Sequence, residues 1–158
     1  MFFANQLDRY FGQTPMLAKL FPILTLLLAL VVIVLTVTSV PALASDHLGG
    51  TMLMAHMAAS GALVFGLPVL AWVGLNKVTQ RRASGSAERI GFWAVLLTGW
   101  LSIATVFACM LPVFGTDAMH HLIELHGYAG FAMVPATVLL LVGVIFFRKA
   151  PKRSSNPG

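Results

Sequence analysis

Polar residues are sparse and clustered along this chain. Between the clusters lie four apolar stretches, each near the roughly 20 helical residues that cross a hydrocarbon core. The first runs from about Leu20 to Val40 and stops at Pro41. The second runs from about Gly50 to Leu75, and the third from about Ile90 to Leu111, before Pro112. The fourth helix starts near Asp117 and its span covers about 119–147, so its first turns are expected to project beyond the bilayer. Pro68 and Pro135 fall inside spans two and four, where membrane helices tolerate proline and can kink at it. Ahead of the first span, residues 1–19 set Phe2, Phe3, Leu7, Tyr10 and Phe11 among Asn, Gln, Asp and Arg. That spacing predicts a short amphipathic helix lying in the membrane interface; the alternative is a poorly ordered arm.

Pro41-Ala-Leu-Ala44 before Ser45 imitates a signal-peptidase site. The apolar run before it exceeds the roughly 7–15 residues of a signal sequence, so a retained span is expected.

Composition agrees with the pattern. The chain is 58% hydrophobic and 9% charged, with a mean hydropathy of +0.88. A water-soluble domain so poor in charge would expose too much apolar surface. The net charge of +5 does not point to nucleic acid, because the basic residues track membrane topology instead of forming a face. All ten lie in three stretches: Arg9 and Lys19; Lys77, Arg81, Arg82 and Arg89; Arg148, Lys149, Lys152 and Arg153. Segments 41–50 and 112–123 have none but hold Asp46 and Asp117. By the positive-inside rule both termini and the 76–89 loop are cytoplasmic. The expected fold is therefore all-α: an integral membrane four-helix bundle, up-down-up-down, with short loops and a basic cytoplasmic tail over 148–158.

The lone Cys109 excludes an internal disulfide and any CxxC site. There is no GxGxxG or P-loop phosphate cradle and no GxSxG elbow. The candidate chemistry lies in the histidines. His47, His56, His120, His121 and His126 all fall on the outer side of this topology, opposite the basic residues. His56 lies six residues into the second helix, about 9 Å below Gly50 at 1.5 Å per residue, and His126 is at similar depth on the fourth. Two imidazoles at one level on two helices are what a haem iron needs, since axial ligands approach from opposite porphyrin faces. Ser60 and Gly61 follow His56 by one turn, and Gly127 and Gly130 flank His126. Small residues there would let a flat macrocycle lie against the helices, or would simply pack helix on helix.

At the outer rim, His120 and Glu124 are four apart and share a helix face, suited to accepting protons from a quinol arriving from lipid; a solvated helix start is the alternative. His121 points away from His126 and is placed instead with His47 in a second, more exposed site. Met52, Met54, Met57, Met110 and Met119 gather on the same side, and thioethers with imidazoles suit copper. Copper binding is thus a second functional class, and a non-catalytic anchor or assembly subunit a third.

In DHLGGTMLMAHMAASG (46–61) and MLPVFGTDAMHHLIELHGYAGFAM (110–133) the chain resembles the small four-helix membrane cytochrome b subunits of bacterial electron-transfer complexes. The resemblance implies haem b ligated by His56 and His126, with Ser60, Gly130 and Thr51 in its environment. It also implies electron transfer between the quinone pool and a partner subunit bearing haem c, iron–sulfur or molybdenum centres. The setting would be the bacterial inner membrane, and the chain a subunit of an oxidoreductase complex more than an enzyme alone. One haem is expected, with a second possible. The propionates would meet Thr51, His47, His120, water or a basic residue of a partner.

Overall fold

The computed structural model describes residues 15–44, 49–79 and 85–149. The proposed interfacial segment up to residue 14, His47, and the tail from residue 150 lie outside the described residues. The described residues form four helices: α1 Pro15–Ala44, α2 Gly50–Thr79, α3 Ser86–Cys109 and α4 Thr116–Lys149. All four are long and apolar enough to cross a bilayer, which makes this a multi-pass membrane protein.

The helix ends depart from expectation by about a turn, most at the start of α1, which begins at Pro15 and so takes in residues 15–19 of the segment expected to lie in the interface. α1 continues through Pro41 to Ala44. Proline removes one intrahelical hydrogen bond but its φ suits a helix, so one proline near the end need not stop it. α3 stops at Cys109, and the amides of Met110 and Leu111 close a last tight turn on the carbonyls of Phe107 and Ala108, both at 3.1 Å. α2 and α4 run unbroken through Pro68 and Pro135.

Neighbouring helices meet in opposite residue order. α1 meets α2 with Phe21 against Gly74 and Thr38 against His56. α2 meets α3 with Lys77 against Glu88 and Leu67 against Gly99. α3 meets α4 with Gly91 against Leu140 and Ser102 against His126. Each pair is therefore antiparallel, and α4 also packs on α1. The core is a column of Phe21, Leu28, Leu63, Leu67, Phe92, Val95, Met133 and Leu140. Outward faces carry Leu26, Leu30, Ile33, Trp72, Trp93, Leu97 and Trp100, all at least half exposed. In water such a surface would aggregate; against lipid tails it meets its proper solvent.

The two ends of the bundle differ. Where α1 begins and α4 finishes, the helices close tightly. A Cβ on Gly91 or Gly143 would strike the backbone of Leu140 or Glu88, so glycine sets the α3–α4 separation there. Glu88, fully buried, pairs with Lys77, whose ammonium also lies 4.6 Å from the Phe21 ring centroid. At the other end the helices splay around a groove, and both candidate histidines line it.

Candidate functional site

The groove has a volume of about 760 Å³ and is lined by all four helices. That is within the roughly 300–1,000 Å³ typical of small-molecule and cofactor sites. His56 enters from α2 and His126 from α4, while α1 and α3 each pack against both of those helices and complete the lining. His56 is six residues into α2 whereas His126 is ten into α4, so equal depth from the helix starts does not hold. The longer α4 begins earlier, and its first turns precede the groove.

Each imidazole is held by the helix before it in the chain. Thr38 Oγ1 on α1 lies 2.9 Å from His56 Nδ1, and Ser39 Oγ lies 3.4 Å away. The same Thr38 oxygen is 2.8 Å from the Val34 carbonyl and 3.0 Å from that of Leu35. The His56 ring also hydrogen-bonds the Leu35 backbone carbonyl, which can only accept, so the ring donates there, and the Thr38 hydroxyl, free to give its own proton to Val34, can accept as well. His126 Nδ1 lies 3.1 Å from the Ser102 carbonyl and 3.2 Å from both Ser102 Oγ and Thr105 Oγ1 on α3. A carbonyl only accepts, so this Nδ1 carries the proton as well. An imidazole with its single proton on Nδ1 keeps a lone pair on Nε2. A hydrogen-bonded Nδ1–H with a bare Nε2 is the form in which histidine ligates metal, oriented and made more basic by its partner.

The glycines of this region make no close contact with the other helices. Gly61, Gly127 and Gly130 line the groove, and a Cβ at any of them would have no atom within 4 Å. Glycine inside a helix costs about 1 kcal/mol relative to alanine, and here no neighbouring helix uses the space it leaves. Ser60 also lines the groove, as do three methionines, Met57, Met110 and the buried Met133.

Other expected site residues fall elsewhere. Thr51, exposed in the first turn of α2, is not among the groove residues, and neither are the exposed His120 and His121. Glu124 does line the groove, but its nearest charged neighbour is His121 Nδ1 at 3.6 Å, not His120. The i,i+3 spacing wins over i,i+4 here, and the contact is an ion pair only when His121 is protonated. His47 lies outside the described residues, so its pairing with His121 has no geometry. Among the described residues, no three or more His, Cys, Asp or Glu side chains gather as a metal-binding group. Cys109 is partly buried and free.

The residues that sequence reasoning missed are Thr38, Ser39, Ser102 and Thr105. Three of them, Thr38, Ser102 and Thr105, are buried. Their only signal in the sequence is that hydroxyls recur within otherwise apolar spans. Compared with protein families, curated proteins and solved structures, the chain gives no match.

Proposed function

We propose that the groove binds a haem b with His56 and His126 as axial ligands, and that the protein is a one-electron carrier in the membrane. The observation that carries this reading is the pair of groove-lining histidines with both Nδ1 protons engaged, beside glycines that leave room for a flat ligand. Bound haem would supply a one-electron iron couple; the chain supplies the rest. The hydroxyls of Thr38, Ser102 and Thr105 fix ring tautomer and rotation. Leu63, Val64, Ile103 and Met133 line an apolar bed that lowers the local dielectric. Two histidines suffice here because the porphyrin itself provides four nitrogens.

The finer assignments follow from sequence. Basic-residue placement supports an up-down-up-down chain with both termini cytoplasmic, which puts the groove in the outer half of a bacterial inner membrane. Glu124, His120 and His121 would then form the outward rim. One haem is proposed, serving electron flow between the quinone pool and a partner subunit carrying haem c, an iron–sulfur cluster or molybdenum.

A copper-binding reading draws on Met57 and Met110, which share the groove with the histidines. A reduced-minus-oxidised visible spectrum of the purified protein separates the two. Haem predicts sharp b-type bands that vanish in His56→Ala and His126→Ala. A colourless protein with stoichiometric copper lost in the same variants would replace the haem reading. Neither pigment nor metal in the intact complex would leave the chain an anchor subunit.

A further inference from the structure

Away from the groove, α3 carries a second depression that faces outward. It has a volume of about 580 Å³ and is lined by Ser86, Arg89, Ile90, Trp93, Ala94 and Leu97. These positions advance by alternating steps of three and one, so they form a single stripe along the helix. From Ser86 to Leu97 the stripe rises roughly 16 Å at 1.5 Å per residue. One leaflet of a hydrocarbon core of about 30 Å is about 15 Å deep. The stripe thus spans one leaflet, with its polar residues confined to the end where α3 begins.

The polar end carries a cation with no acidic partner among the described residues. Glu88, next in the chain, is committed to Lys77. Arg89 Nε is buried without a hydrogen-bond partner among the described residues, and Arg89 forms no ion pair among them. The remaining acids with described side chains, Asp117 and Glu124, lie on α4 near the opposite end of the bundle. Below Arg89, Ile90, Trp93 and Leu97 are 61%, 50% and 73% exposed, an apolar channel open to lipid. A guanidinium matches phosphate in charge and in bidentate geometry, and tryptophan settles at the headgroup boundary.

We infer that this stripe is a binding site for one anionic phospholipid, its phosphate on Arg89 and one acyl chain along Ile90, Trp93 and Leu97. The site depends on the chain spanning a bilayer but not on the haem reading. The same protein is placed in nanodiscs of phosphatidylcholine, with and without phosphatidylglycerol, and followed by thermal melting and by native mass spectrometry of retained lipid. Phosphatidylglycerol should raise the melting temperature of wild type and stay bound. Arg89→Gln should weaken its retention about fivefold, the effect of one basic residue near an anionic surface. Arg81→Gln with Arg82→Gln should leave retention intact. The proposal fails if wild type melts alike in both discs, or if Arg89→Gln keeps the preference. It also fails if the double variant loses the preference, which would indicate diffuse attraction to the surface. An equal shift from inorganic phosphate in phosphatidylcholine discs would overturn the lipid assignment. If Arg89→Gln folds poorly, judged by its melt in phosphatidylcholine, Leu97→Glu tests the acyl portion by the same loss of retention.

Discussion

Glycines at the two ends of the bundle do opposite things. At the closed end, Gly91 and Gly143 are occupied by the backbones of Leu140 and Glu88, and the missing side chains let α3 and α4 touch. In the groove, Gly61, Gly127 and Gly130 have nothing within 4 Å of where a Cβ would stand. The residue type is the same and so is its intrinsic cost to the helix. What differs is where the compensation comes from. Closed-end glycines are compensated by helix contact, whereas groove glycines gain nothing from the described residues; on the haem proposal the porphyrin would fill that space.

Filling the groove should break this comparison most visibly. Gly127→Phe is expected to abolish the b-type absorption while the apparent melting temperature in detergent stays near that of wild type. Full absorption in that variant would remove the groove as the pigment site.

The closed end answers next. Lys77→Met strips the buried Glu88 carboxylate of its cation while its Oε2 has no hydrogen-bond partner among the described residues, and removing one member of a buried pair costs about 3 kcal/mol or more. Combining it with Glu88→Gln should recover much of that loss. Chemical denaturation in mild detergent reads both, and a Lys77→Met variant as stable as wild type would show that the pair contributes nothing.

Within the groove the two histidines can be told apart. Thr38→Val removes the 2.9 Å contact of His56 Nδ1 and leaves that ring the Leu35 carbonyl and the Ser39 hydroxyl at 3.4 Å, whereas Thr105→Val leaves His126 Nδ1 the Ser102 carbonyl at 3.1 Å and hydroxyl at 3.2 Å. Complete loss of such support costs about 10–100-fold in metal-site affinity, so haem retention should fall by up to the lower end of that range in Thr38→Val and by less in Thr105→Val. A titration of apoprotein with haemin checks the ranking.

The smallest effect is a difference of sign. Gly143→Ala should lower stability by about 1–3 kcal/mol as the helices are forced apart. Gly127→Ala should raise it by up to about 1 kcal/mol through helix propensity. Melting curves for the two variants in one detergent would suffice, and a shared sign would erase the distinction between the ends.

Much of the architecture was legible from the chain alone. Four spans follow from uninterrupted apolar runs. His56 and His126 stand out because an imidazole among alanines and leucines at membrane depth is costly unless something engages it. The supporting hydroxyls were not legible, for a physical reason. A threonine in a helix usually satisfies itself on a carbonyl three or four residues back, as Thr25 does on Phe21. Nothing in the sequence reveals that the Thr38 oxygen also serves a ring on another helix. The two classes of glycine were equally hidden, because which helix faces which is a property of the packed bundle. The pairing of Glu124 with His121 instead of His120 turned on rotamers within a single helical turn.

The tight packing at one end has a consequence for how such a protein is made. Contacts there, from Phe21 through Gly91 to Gly143, join residues of the chain only, so that end can zip together during membrane insertion. The splayed end is then left open, with its imidazoles already turned by their hydroxyl and carbonyl partners. If the groove holds the proposed haem, manufacture of the polypeptide and delivery of its cargo become separate events, which a cell can schedule independently.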